Sequence, residues 1–333
     1  MIKKRLFPGM EKIPRNALRD LFFTMLKIRR VEEVIAELYP AQEMRCPVHL
    51  CVGQEAVPAA VSQNLLPHDV VFASHRSHGY YIAQGAGLRE LFAELYGKAD
   101  GCTKGKGGSQ HLASPRSGLI GSSAIVAGTI PIAVGAALAF RMQRKRSVAA
   151  AAFGDGAVDQ GVFYESLNFA SLKKLPVIFV CENNLYATHA HQSERQARDN
   201  IFRRAGVFGM PGVRVNGNDV VQAYLAFKKA VARARAGAGP TLIEYRTYRW
   251  LEHVGPYDDS NLGYRAKSEV ESWKKRCPIA AFRDILLRKK ILSPAQVASG
   301  TEKIERRIRD AVLCAQRSAF PPEQELCSDV CSG

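Results

Sequence analysis

At 333 residues and 47% hydrophobic content, the chain has the composition of a soluble globular protein with a substantial core. Its net charge of +16 suits an acidic partner or an anionic cofactor. The basic residues are dispersed in short clusters such as Lys3-Lys4-Arg5 and Arg144-Lys145-Arg146, with no zinc-finger or basic-zipper pattern, so no nucleic-acid role is expected.

Eight scattered cysteines, several inside apolar runs, and basic N-terminal residues with no apolar stretch after them argue for a reducing compartment, and the chain reads as cytoplasmic. Cys327 and Cys331 lack a second matching pair and read as free thiols rather than half of a metal site. The longest apolar run, 124–140, contains Pro131 and several glycines; it reads as a buried helix, and no membrane association is expected.

In chain order, residues 16–39 carry Leu18, Leu21, Phe22, Met25, Val31 and Ile35 at helical spacing, which predicts an amphipathic packing helix ended by Pro40. Around 45–60, His49 precedes Gly53-Gln54-Glu55, which opens a helix whose N-terminus favours anions. The segment VVFASHRSHG places His75, Arg76 and His78 just after a strand-like run, and an arginine there suits a diphosphate through its planar fork. The stretch GCTKGKGGSQH is not a Walker A loop; it reads either as a flexible loop beside an anionic ligand or as a solvated loop. Residues 122–140 predict an extended segment leading into a helix of small residues, to which a flat ring or another backbone can come close.

The most informative stretch runs from 148 to 186. Two apolar runs, 148–153 and 176–181, have the length and continuity of strands buried on both faces, and an amphipathic helix lies between them. Such a βαβ unit brings Asp155, after the first strand, and Asn183-Asn184, after the second, to the same sheet edge. A carboxylate and an amide oxygen are hard ligands suited to Mg²⁺ held with a diphosphate, and Gly154 and Gly156 allow close approach of the anion. Farther on, 213–216 and 241–246 read as strands, 220–236 as a helix and 237–240 as a turn. Residues 268–290 and 294–318 predict helices with solvated charged faces.

Gly154-Asp155-Gly156, the 26 residues 157–182, then Asn183-Asn184 resembles the thiamine diphosphate motif. With HL-x-x-GQEA, HRSHG, KGKGGS, IVAGTIPIAVGAALA and the HVGP segment in this order, residues 16–318 resemble the α subunit of the thiamine diphosphate-dependent first component of 2-oxo acid dehydrogenase complexes. Pyruvate and acetoin dehydrogenase α subunits look nearest. The resemblance implies an α/β thiamine diphosphate-binding fold, a mostly parallel sheet flanked by helices. It spans one domain over 1–320, followed by a loosely ordered tail over 321–333. It implies that Asp155, Asn184 and the backbone carbonyl of Tyr186 bind Mg²⁺, that Gly156, Ala157, His75 and Arg76 hold the diphosphate, and that Ala124 and Val126 contact the aminopyrimidine ring. His49 and His253 match active-site histidines.

In that family the glutamate that activates the cofactor belongs to a β subunit, so the expectation is an α₂β₂ tetramer in which this chain supplies the diphosphate-binding half. The implied activity is oxidative decarboxylation of a small 2-oxo acid, with acyl transfer to the lipoyl group of an acyltransferase. Three departures bear on the substrate: His75 stands where many pyruvate-type members have Tyr, Gln110 replaces the usual Met, and Glu252-His253-Val254-Gly255-Pro256 replaces GHSMSDP. They keep an acetoin dehydrogenase, or another thiamine diphosphate-dependent lyase or carboligase, in view. A non-enzymatic basic binding protein is the minor alternative.

Overall fold

Residues 7–328 are described by the structure, a computed structural model. Its centre is the pair of apolar runs. β1 (Val70–Ser74), β2 (Leu119–Ser123), β3 (Ala149–Gly154), β4 (Val177–Asn183), a short antiparallel pair β5 (Tyr186–Ala187) and β6 (Ala190–His191), β7 (Gly212–Asn216) and β8 (Thr241–Arg246) follow in sequence. Six of these form one sheet in the order β2-β1-β3-β4-β8-β7, with every neighbouring pair parallel. The expected α/β architecture is the one that forms. All of β4 is buried, because helices cover both faces of the sheet.

Alternation along the strands sorts the core into two layers. Ala150, Ala152, Ile178, Val180 and Ile243 face one layer; Ala149, Ala151, Phe153, Val177, Phe179 and Cys181 face the other. The first layer packs on α1 (Arg15–Leu38), α2 (Ala56–Ser62), α3 (His78–Ala83), α4 (Leu88–Leu95) and a later helix over Val220–Arg235. The second is closed by α5 (Thr129–Met142) and α6 (Gly161–Leu172). The short α7 (Gln192–Arg195), α8 (the Val220–Arg235 helix), α9 (Lys267–Lys274), α10 (Pro278–Arg288) and α11 (Pro294–Arg317) complete the set.

Two sequence readings change in detail. The single helix expected over 268–290 is two, α9 and α10, because Cys277 adopts an extended ψ of 119° and Pro278 opens the next helix with no N–H to continue the previous one. The N-terminal helix does more than pack. Arg29 and Glu32 lie on its buried face: Arg29 Nε donates to Glu55 Oε1 at 2.6 Å, and Glu32 accepts from Cys51 N at 2.6 Å and contacts His78 Nδ1 at 2.6 Å. α1 thereby fixes the segment that carries His49.

α11 starts at a capping box between Ser293 and Gln296 and buries only Ile304, Ile308, Ala311 and Ala315, leaving its charged face in solvent as expected. Beyond it, Glu323–Cys327 forms a 3₁₀ turn, and Lys106 Nζ donates to the Ser328 carbonyl at 2.8 Å. Lys3-Lys4-Arg5 and Cys331 lie outside the described residues. Among those described, no helix is long and apolar enough to cross a membrane.

Candidate active site

The chain runs from β1 outward to β2, then returns to β3 on the other side of β1 and continues to β4. This reversal makes the carboxyl ends of β1 and β3 the topological switch point, where open α/β sheets hold ligands. A cavity of about 380 Å³ lies there. Every site residue singled out from the sequence lines it: His49, His75, Arg76, Ala124, Val126, Asp155, Gly156, Ala157, Asn184, Tyr186 and His253.

Register explains the oxygen donors. β3 and β4 pair through Gly154↔Glu182, so the residues that follow emerge side by side. Asp155 is buried, which raises its carboxyl pKa against the pull of its ion-pair partner Arg195; Arg195 also pairs with Asp159. Of the two asparagines, Asn183 is consumed structurally, its amide donating to Glu244 Oε1 at 2.8 Å and Gln192 Oε1 at 3.0 Å. Asn184 remains at the cavity, with Oδ1 accepting from Tyr186 N at 3.2 Å. Tyr186 lines the cavity while its hydroxyl donates to Glu269 at 2.7 Å. A Cβ on Gly156 would come within 2.9 Å of Ala187 Cβ, so the turn after Asp155 needs a glycine there.

On the β1 side, burial pulls the Arg76 pKa down to about 10; the guanidinium donates to Leu50 O at 2.6 Å and His253 O at 3.2 Å. His49, His75 and His253 meet edge to face, with ring centroids 4.7, 5.2 and 5.4 Å apart. Burial, then Arg76, lowers their pKa values to about 2, 4 and 3, so all three are neutral at physiological pH. An unfolded histidine takes up its proton near pH 6.5, so below that pH the unfolded chain binds more protons and the native state loses stability. For His75 the loss runs from pH 6.5 down to its folded value near 4. His75→Gln should therefore gain about 3 kcal/mol relative to the parent between pH 7 and pH 4, read from paired urea titrations. A parallel pH dependence of the two proteins would refute the assignment.

Sequence reasoning missed three polar groups. Glu182, in the same cavity, accepts from Gln54 Nε2 at 3.0 Å and from the Tyr80 hydroxyl, and burial raises its pKa to about 7. Gln54 also accepts from Asn184 Nδ2 at 3.2 Å, linking the helix-opening Gly-Gln-Glu to the asparagine pair. The available signal was an acidic residue ending the wholly apolar run before Asn183.

The glycine- and lysine-rich loop resolves differently from either reading. Its amides at Thr103, Gly105, Gly107 and Gly108 all donate to the buried carboxylate of Glu94, at 2.8–3.0 Å. The anion beside the loop is the chain's own. The loop delivers Ser109 Oγ to 2.7 Å from His78 Nε2, and the Gln110 amide to 3.3 Å from His49 Nδ1.

The switch point of the parallel sheet gathers a carboxylate, an asparagine amide, glycine turns and an arginine, the donor types that a metal-bound diphosphate ester takes. The donor chemistry fits thiamine diphosphate with Mg²⁺: hard oxygens at Asp155 and Asn184, a cation at Arg76 and small apolar residues at Ala124 and Val126 all line one cavity. The dehydrogenase E1 component family matches residues 23–324, and the chain belongs to it. It is 37% identical to the α subunit of acetoin:2,6-dichlorophenolindophenol oxidoreductase of Bacillus subtilis (strain 168), over 93% of this chain and 92% of that one. It is 34% identical to the pyruvate dehydrogenase E1 component α subunit of Rickettsia bellii (strain RML369-C), over 93% and 94%. The chloroplastic pyruvate dehydrogenase E1 α-3 subunit of Arabidopsis thaliana is 36% identical, over 93% and 73%. The family supports a thiamine diphosphate-dependent 2-oxo acid dehydrogenase α subunit, the class that the motifs resemble.

Proposed function

We propose that this chain is the diphosphate-binding half of a two-subunit enzyme that oxidatively decarboxylates a small 2-oxo acid and passes the acyl group to a lipoyl disulfide. The observation that carries the reading is the side-by-side emergence of Asp155 and Asn184 at the switch point, in one cavity with Arg76. When bound, thiamine diphosphate supplies a nucleophilic carbon and an electron sink for cleaving the bond beside a carbonyl. In this reading Asp155, Asn184 and the Tyr186 carbonyl hold Mg²⁺; Gly156, Ala157, His75 and Arg76 hold the diphosphate; Ala124 and Val126 present backbone to the ring. His49 and His253, neutral and shielded from solvent, hydrogen-bond the substrate's oxygens without adding charge.

A β subunit supplies the activating glutamate. Two features support a shared site: Glu182 is already engaged by Tyr80 and Gln54, and Val126 in the cavity wall is exposed, as are Ile125 and Ile132 close to it in sequence. The free thiols at Cys51 and Cys181 suit a reducing cytoplasm. An acetoin-cleaving relative is the second reading, favoured by the polar His75 and Gln110 in the cavity wall.

The test is co-expression with the β subunit and assay with an artificial electron acceptor on pyruvate, branched-chain 2-oxo acids and acetoin. Turnover requiring both subunits and thiamine diphosphate is expected; decarboxylation by this chain alone would overturn the reading. The preferred substrate separates its two versions.

A further inference from the structure

The three cavity imidazoles come from distant parts of the chain: His49 ahead of α2, His75 directly after β1, and His253 in the loop after β8. One ring nitrogen from each can be chosen so that all three lie within 4.8 Å of one another. The rings are inclined by 60°, 88° and 61°, so they do not stack and their in-plane lone pairs can converge. Among the described residues, the only hydrogen-bond partner of these rings is the Gln110 amide beside His49. The rings of His75 and His253 are uncommitted.

Zinc–imidazole bonds of about 2.0–2.1 Å place tetrahedral ligands roughly 3.3 Å apart. From the observed spacing, each nitrogen has to move inward by at most about 0.9 Å, a small side-chain rotation. A set of three neutral nitrogens and no carboxylate is a poor match for Mg²⁺, which takes oxygen, and a good one for Zn²⁺ or Co²⁺. The fourth position would open onto the cavity. Arg76 is the adverse neighbour, since its charge opposes a cation; its guanidinium is turned to the carbonyls of Leu50 and His253, and the second of these bonds anchors the backbone of a ligand.

We propose that His49, His75 and His253 form a three-histidine site for a borderline-soft divalent cation, Zn²⁺ or Co²⁺, which needs neither Asp155 nor Asn184; the cation takes the rings that the cofactor reading gives to diphosphate and substrate, so the two occupancies exclude each other. The inference rests on this geometry and not on the cofactor reading.

The test is titration of the untagged, chelator-treated full chain with Co²⁺. The expected result is visible absorption of four-coordinate Co²⁺, saturating at one equivalent and bleached by Zn²⁺. His75→Phe and His253→Gln should each weaken binding at least about tenfold, with unchanged far-ultraviolet circular dichroism. Asp155→Ala should leave the Co²⁺ spectrum unchanged. Absence of the visible bands in the parent, parent-like binding by both histidine variants, or loss of the bands in Asp155→Ala would each overturn the proposal. Thiamine diphosphate binding with Mg²⁺, measured separately, keeps the two readings apart: the parent can fail one measurement and pass the other.

Discussion

Asp155→Ala is expected to weaken Mg²⁺-dependent thiamine diphosphate binding by at least about 100-fold while leaving the stability of the chain unchanged or slightly raised. The binding loss follows from the proposed role of Asp155: it is the one carboxylate among the expected metal ligands, and a neighbouring amide cannot replace its charge. The stability half follows from its surroundings. Burial outweighs Arg195 and raises the Asp155 pKa, so the ionised form is held against its preference. Removing it leaves Arg195 paired with Asp159, and no cation is stranded. Asp155→Asn, which keeps the size and removes the charge, should behave the same way. Calorimetric titration of thiamine diphosphate in the presence of Mg²⁺ reads the first half, and thermal unfolding reads the second. Parent-like affinity in both variants would end the cofactor assignment; a large fall in stability would mean that Asp155 is a structural ion-pair residue.

The site's backbone was readable from sequence for a physical reason. The runs 149–153 and 177–181 are buried on both faces, so their apolarity is continuous up to the polar residues that follow them. Asp155 therefore declares itself, Asn184 is found by its spacing from Asp155 beyond Glu182, and a parallel sheet brings both to one edge. Glu182, Gln54 and Tyr80 do not. Their hydrogen bonds join residues 128 and 102 positions apart, and no local periodicity encodes such a pairing. Arg29 and Glu32 were hidden differently, on a helix face whose apolar neighbours Met25, Ile28, Val31 and Ile35 fully account for its amphipathic pattern. The glycine-rich loop was half legible. Its composition does indicate an anion close to the backbone, but the anion is Glu94, on the buried face of α4 beside Leu91 and Leu95.

Glu94→Gln should destabilise the chain by about 3 kcal/mol or more, the largest stability effect expected of a single isosteric change here. Each carboxylate oxygen accepts two amides: Oε1 from Gly107 and Gly108, Oε2 from Thr103 and Gly105. In either orientation, a glutamine turns its NH₂ toward two of these donors, stranding buried N–H groups on both sides. The backbone is committed to this wrap. Gly105 has φ +76°, and a Cβ on Gly101 would approach Glu94 Oε2 to 2.3 Å. The consequence reaches the cavity, because the same loop carries Ser109 to His78 and Gln110 to His49. Urea titration should show the loss, and trypsin should cut after Lys104 or Lys106 in the variant at denaturant concentrations where the parent is resistant. Equal stability and equal resistance would show that the loop is held by other contacts, and that Glu94 does not position the Gln110 wall of the site.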